Sequence, residues 1–433
     1  MRSQNTGQAR TGLLTDHYEV TMVRAALRDG TAERRCVFEV FTRRLPEGRR
    51  YGVVAGTSRL LESIDTFGYD DDALAHLLAE GVVDEDTCTW LRSYRFSGDV
   101  TGYAEGEAFF PGSPVLTVEG TFAEAVLLET LTLSVLNHAS AVASAAARMA
   151  HAAGRRPCIE MGSRRTHEEA AVASARAAYL AGFASTSNLA AGQRYGVPTT
   201  GTAAHSWTLL HDQEVDAFRA QVESLGTSTT LLVDTYDIAA GIRSAIEVAG
   251  TGLGAVRIDS GDLTVLAQQA REQLDSLGAT WTRIVLSGDL DEYGLAALAT
   301  APVDAYGVGT SVVTGSGAPT AGFVYKLVEV DGRAVAKRSE DKASRGGRKT
   351  VVRRHRPTGT ATEEAVRAQG DPTPAEGDRA LQVPFVRNGQ LLDVPSLEQS
   401  REHLLQVLTT LPWQGLALSK GEPAIPTTYE GPR

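Results

Sequence analysis

The chain has 433 residues, a formal net charge of −11, and 42% hydrophobic and 22% charged residues. This is a soluble globular composition with more chain than one core usually holds, so two or three domains are expected. The acidic charge argues against a general nucleic-acid or membrane-surface binder, since both need a basic face. Cys36, Cys88 and Cys158 are scattered and odd in number, which fits a reducing cytoplasm and offers neither a disulfide framework nor paired zinc spacing.

The first ten residues, "MRSQNTGQAR", are polar with no apolar core and read as a frayed tail rather than a signal peptide. "RCVFEVFTRRLPEGRRYGVVAG" then shows apolar runs about a Pro-Glu-Gly turn, and "FSGDVTGYAEGEAFFPGSPVLTVEG" is strand-rich with turn punctuation. The most apolar stretch, Phe122 to Ala153, carries Glu124, Glu129, His138, Arg148 and His151, so it is not read as a membrane span. Its Ala and Leu content predicts a long buried helix, broken near Asn137, as a candidate hinge between domains.

From Cys158 onward short apolar runs end in Gly, Ser, Asp or Thr and helix-like segments follow: "CIEMGS", "AGFASTSN", "VPTTGT", "TLLVDT", "AVRIDSGD", "RIVLSGD" and "AYGVGTS". Strand alternating with helix implies parallel strands joined by right-handed crossovers. So many units close more naturally into a (β/α) barrel, with its active site at the C-terminal strand ends, than into an open sheet. An open doubly wound sheet is the runner-up, and the G-x-G-x-x-G it would display after its first strand is missing. Beyond the barrel, "VYKLVEVDGRAVAKRS" and "VPFVRNGQLLDV" read as hairpins about Asp331-Gly332 and Asn388-Gly389. The expected organisation is an α/β domain built from both chain ends, residues 1–135 and 326–433, around a barrel at 136–325. A basic, Gly-rich loop at 344–360 is either solvated or a mobile arm over a phosphate-bearing site.

The candidate chemistry lies at the predicted strand ends. "LSGDL" and "GVGTS" place Gly288, Gly309 and Thr310 where bare backbone N–H groups and helix N-termini receive phosphate, although ordinary βα turns use the same residues. In "VRIDSGDL", Arg257 and Asp259 share a parity and face one side of the strand. They read either as a structural ion pair or as an anion-binding Arg beside a carboxylate facing positive charge. Asp262 suits the first turn of the next helix. Arg164 and Arg165, just past the first barrel strand, suit carboxylate or phosphate, with Glu168 and Glu169 as alternative salt-bridge partners. His205 follows Gly201 and Thr202 in "GTAAHSW"; it has no H-E-x-x-H or G-x-S-x-G context, which leaves a structural role, acid/base work or nucleophilic attack on a phosphoryl group. No Walker loop is present to hold ATP.

These segments, with "LLTDHYEVTM", "EMGSRRTHEEAA", "STSNLAAGQRYGVPTTGTAAHS", "KRSEDKAS" and "VPFVRNGQLLDVPSLEQSREHL", resemble nicotinate phosphoribosyltransferase in order along most of the chain. The resemblance implies an irregular α/β barrel of the type II phosphoribosyltransferase kind, with a second α/β domain, usually in a cytoplasmic homodimer with active sites near the subunit interface. It implies transfer of phosphoribose from 5-phosphoribosyl 1-diphosphate to nicotinate, coupled to ATP hydrolysis, with Mg²⁺, on a route to NAD. It makes His205 the residue phosphorylated by ATP, and sets Tyr18, Thr202 and Arg257 at nicotinate and Thr310 near the phosphoribosyl phosphate. Asp259 is the expected stabiliser of a cationic sugar, and Arg164, Ser206, Gly288 and Gly309 are further binding candidates. The nicotinamide-using relative is expected to carry Asp after Gly-Thr, where this chain has Ala203, which favours the acid as substrate. The alternatives are nicotinamide phosphoribosyltransferase and a non-catalytic binding relative.

Overall fold

Six short parallel strands organise one half of the protein: β1 (Cys158–Glu160), β2 (Ser185–Thr186), β3 (Thr230–Leu232), β4 (Ala255–Ile258), β5 (Arg283–Gly288) and β6 (Ala305–Val308). The computed structural model describes residues 10–337, 345–368 and 374–430. The strand order is β2-β1-β6-β5-β4-β3, every pair parallel. The last strand therefore lies beside the first, and chain neighbours are adjacent everywhere except between β2 and β3. That cyclic order belongs to a curled, incomplete barrel with one open seam, not to a doubly wound sheet.

The strands form because runs such as "LLV", "AVRI" and "RIVL" bury almost every side chain, as parallel strands covered on both faces do. The intervening helices start where the sequence supplies short polar caps. Asn188, Asp237, Asp262 and Asp291 each accept a backbone N–H from the first turn of the helix they open. One expected strand is reduced. "VPTTGT" contributes a single parallel bridge, Thr199 to Thr186, at the edge beside β2. Pro198 has no N–H to donate and Gly201 ends any extended run, so the ladder stops there and the seam opens.

This barrel unit spans residues 142–319; the other unit combines the chain up to Ala141 with the chain from Thr320. The first division falls inside the helix Glu129–Ala153, and the second falls before the strand Phe323–Val330, which pairs with Arg35–Thr42. Those two strands belong to a seven-stranded antiparallel sheet that also takes Leu116–Thr121, Asp99–Tyr103 and Gln382–Arg387. The two hairpin turns expected from sequence are present, with φ of 49° and 73° at Asp331-Gly332 and 47° and 70° at Asn388-Gly389.

Two expectations are corrected here. The long helix is not broken near Asn137. The Asn137 side chain accepts from the Phe323 N–H (2.8 Å) and donates to the Phe323 carbonyl (3.2 Å), so it does not compete for the helix backbone. Residues 122–153 are long and apolar enough by composition to cross a membrane, but 61% of their most apolar stretch is buried in the protein. The segment 344–360 is not a loop throughout, because Lys349–His355 is a seven-residue strand paired with Ala361–Ala368. Several of its basic residues are paired with carboxylates: Lys349 with Glu39 (2.6 Å), Arg353 with Glu107 and Glu364 (2.5 Å each), and Arg348 with Glu119 (2.9 Å). Ser344 lies outside the described residues.

Arg353, Glu107 and Glu364 are all fully buried, and Glu364 also accepts from Ser113 and from the Tyr103 hydroxyl. Breaking such a group strands an uncompensated charge. Glu364→Ala is expected to destabilise this unit by about 3–5 kcal/mol, read as a shift of its urea unfolding transition. A transition unchanged within error would contradict that assignment.

Candidate functional site

Arg257, on β4, is buried to 8% exposure and makes contacts in three directions. Its Nε donates to the Ser287 hydroxyl at the end of β5 (2.8 Å). One terminal nitrogen donates to the Thr202 hydroxyl (2.7 Å) and the Ala203 carbonyl (3.2 Å), in the loop that follows the Thr199 bridge. The other lies 3.3 Å from Asp259 Oδ2. A guanidinium has five N–H donors, so this arrangement leaves about one of them for a ligand. The pairing of Arg257 with Asp259 satisfies the structural reading of the motif, and both side chains also line an open cavity, as the functional reading requires.

Ser287 connects the two charges: it takes the Arg257 Nε–H and gives its own proton to Asp259 Oδ1 (2.6 Å). Burial pushes the Asp259 pKa up; the Ser287 hydrogen bond and the Arg257 guanidinium outweigh it and hold the carboxyl below its ordinary range. Asp259 is therefore an anion at neutral pH.

His205 opens the short helix His205–Leu209, just past the seam, with its side chain 41% exposed. Its Nδ1 lies 3.1 Å from the Thr235 hydroxyl, beyond the end of β3 on the far side of the seam. Its Nε2 lies 3.9 Å from Asp234 Oδ1. The Asp234 side chain is buried to 1% exposure. Its Oδ2 accepts from the Asp259 N–H (2.8 Å) and the Ser260 hydroxyl (2.9 Å), while Oδ1 has no hydrogen-bond partner among the described residues. A buried carboxylate oxygen with no donor is a costly arrangement, and this one faces the imidazole.

The Gly288 and Gly309 loops share one cavity of about 230 Å³ with Arg257, Asp259, Thr310 and Arg164. Gly288 has φ of 135°, and a Cβ there would come within 3.1 Å of the Asp259 carbonyl, so the loop needs glycine for both conformation and clearance. Arg164 and Arg165 do not pair with Glu168 and Glu169 as the sequence allowed: Glu169 takes Arg194 (2.6 Å), and both arginines turn to the cavity. Asp289 lines the same cavity.

The cavity is lined by Arg164, Arg257, Asp259, Gly288, Gly309 and Thr310; Thr202 joins it through its hydrogen bond with Arg257, and His205 stands beside Asp234, which accepts the Asp259 N–H. Ser206 is exposed beside His205 with no such link among the described residues. Tyr18 is in the other unit, on the helix His17–Asp29. Partial burial and the carboxylates Glu129, Glu19 and Asp16 push its pKa up to about 12, so it is a neutral hydroxyl. Asp234, Thr235, Ser287 and Asp289 were not singled out from sequence, although each stands in a strand-end segment already quoted.

Among the described residues no group of three or more His, Cys, Asp or Glu could hold a metal ion. Asp259 and Asp289 at a cavity roomy enough for phosphate are still a fitting donor set for Mg²⁺, which takes one or two carboxylates and completes its shell with substrate phosphates and water.

Ser287→Ala removes the hydrogen bond that lowers the Asp259 pKa, so the carboxyl should titrate at higher pH in the variant than in the parent. A group with a depressed folded pKa stabilises the fold above the ordinary carboxylate range and loses that contribution as pH falls through the folded value. The variant should therefore also show a weaker fall in stability over that acid window. NMR titration of the Asp259 carboxyl checks the first and urea unfolding across that pH window the second; coincident curves would contradict the role given to Ser287.

A family model described as the nicotinate phosphoribosyltransferase N-terminal domain matches residues 13–137, and one described as the nicotinate phosphoribosyltransferase family matches 157–362. The chain is 63% identical over 429 residues to a nicotinate phosphoribosyltransferase of Mycobacterium tuberculosis, covering 97% of this chain and 95% of that one. It is 40% identical over 413 residues to a second enzyme of that name from the same organism, covering 92% and 87%. The crystal structure of human nicotinic acid phosphoribosyltransferase superposes with a TM-score of 0.83 at 26% identity, covering 96% of this chain and 97% of that one. With its barrel and second α/β unit, the chain belongs to the nicotinate phosphoribosyltransferase family.

Proposed function

We propose that this chain joins nicotinate to 5-phosphoribosyl 1-diphosphate, giving nicotinate mononucleotide and diphosphate, and couples the step to ATP hydrolysis through phosphorylation of His205. One observation carries the reading: a buried arginine, an ionised aspartate and two glycine loops share a cavity flanked by a half-exposed histidine.

Nicotinate brings a carboxylate and a ring nitrogen. The carboxylate suits the remaining Arg257 N–H and the Thr202 hydroxyl, whose present bond to the Ala203 carbonyl is long at 3.2 Å. Ala203 presents no carboxylate to repel it. The ring nitrogen is already nucleophilic, so the site needs no base to deprotonate it. As it attacks the anomeric carbon, the bond to diphosphate breaks and the sugar gains oxocarbenium character. Asp259, held ionised by Ser287 and Arg257, offers a fixed negative charge to it. The Gly288 loop and the Gly309–Thr310 helix start offer backbone N–H groups to phosphate oxygens. Mg²⁺, when bound at Asp259 and Asp289, would neutralise charge on the departing diphosphate.

For coupling, His205 attacks the terminal phosphorus of ATP and the bond to ADP breaks. The ring is flanked by Asp234, 3.9 Å from Nε2, and by the Thr235 hydroxyl, 3.1 Å from Nδ1. The phosphorylated ring changes local charge by nearly two units beside a cavity holding Arg164, Arg165 and Arg257. That change alters affinity for the anionic donor and biases transfer forward. A homodimer is the expected assembly.

The test supplies the purified chain with nicotinate or nicotinamide, 5-phosphoribosyl 1-diphosphate, Mg²⁺ and ATP. The expected product is nicotinate mononucleotide, formed together with ADP and phosphate, and His205→Ala should abolish coupled ATP hydrolysis while sparing slow uncoupled transfer. Nicotinamide mononucleotide as the main product, or intact coupling in His205→Ala, would overturn the reading.

A further inference from the structure

The two glycine loops leave neighbouring strands, and their spacing beyond the last ladder pair, Gly288 with Val308, is not set by the sheet. We propose that Glu292 is a positioning residue that sets this spacing and, through it, the affinity for the phosphoribosyl donor. The inference rests on the reading above that these loops hold the donor's phosphate groups.

Glu292 begins the helix Glu292–Ala297 and is buried to 3% exposure. Its Oε2 accepts from the Ser316 hydroxyl (2.6 Å), and its Oε1 lies 3.2 Å from Arg148 Nε on the long helix. On one side a stiff path leads back to Gly288: Leu290 N–H donates to the Gly288 carbonyl (2.9 Å), and Asp291 caps the helix through Tyr293 and Gly294. On the other side a second stiff path leads from Ser316 to Thr310. Ser316 N–H donates to the Ser311 carbonyl (2.7 Å), and Thr314 N–H to the Thr310 carbonyl (3.1 Å). One carboxylate therefore ties the segment after the Gly288 loop to the segment after the Gly309 loop.

Two features point to position rather than stability. Ser316 has φ of 51°, a left-handed conformation that glycine adopts without strain and serine does not; its hydroxyl is the reason to keep it. A buried Arg–Glu pair is also a poor stabiliser compared with apolar residues of the same volume, and its best-attested use is to specify one arrangement.

The experiment compares steady-state constants and melting temperature for the parent, Ser316→Gly, Ser316→Ala and the double variant R148M/E292L, which removes the clamp without stranding a buried charge. Removing the Ser316 hydroxyl should raise KM for 5-phosphoribosyl 1-diphosphate about five- to tenfold while KM for nicotinate stays within about twofold. Ser316→Gly should do so without a lower melting temperature, since it relieves backbone strain. The double variant should show the same split. Donor KM unchanged in both Ser316 variants would overturn the inference and leave the proposed function intact, as would both KM values rising together with a fall in melting temperature. A parent protein that forms no nicotinate mononucleotide would overturn both.

Discussion

The guanidinium of Arg257 closes what the backbone leaves open. The barrel lacks a ladder between β2 and β3, and the chain that should complete it stops pairing after Thr199. Across that gap Arg257 reaches from β4 to Thr202 and Ala203 while its Nε is held by Ser287 on β5. Side-chain hydrogen bonds thus replace backbone ones at the seam. Such side-chain bonds can be exchanged for bonds to a ligand, which a strand ladder cannot offer.

The rest of the site follows from keeping opposite charges close but separately held. Ser287 is bonded to both Arg257 and Asp259, and the second oxygen of the aspartate lies 3.3 Å from the guanidinium, so the carboxylate is held ionised from two sides. Asp234 carries the organisation outward: one oxygen fixes the Asp259 backbone, the other faces His205. The histidine, the aspartates and the arginine are therefore one connected polar assembly, and a change of charge at His205 is transmitted to Asp259 through a single buried carboxylate. The Gly288 and Gly309 loops complete the cavity with backbone donors instead of side chains, which suits an anion that must arrive and leave.

The strand ends were readable from sequence because parallel buried strands are short apolar runs that terminate in turn chemistry, and the two I′ hairpins because Asp-Gly and Asn-Gly at φ above zero leave few alternatives. The parity of Arg257 and Asp259 likewise foretold their meeting. What escaped depended on partners distant in sequence. Asn137 looked like a helix breaker until Phe323 satisfied it. The basic stretch 344–360 reads as a solvated loop or a mobile arm, but Glu39 and Glu107, distant in sequence, bury the charges of its Lys349 and Arg353. Asp234 and Ser287 sat inside quoted motifs without distinction, since nothing local shows that an aspartate after "LLV" will face an imidazole, or that a serine before Gly288 will bridge two charges.

The central claim is that the Arg257 fork both laces the seam and receives the carboxylate of nicotinate, and the ratio of kcat/KM for nicotinate to that for nicotinamide in Arg257→Gln tests it most directly. Loss of a charged partner in a desolvated site costs on the order of 100-fold, so kcat/KM for nicotinate should fall by about that factor relative to nicotinamide. A ratio equal to that of the parent enzyme would contradict the account, because the fork would then have no part in recognising the acid.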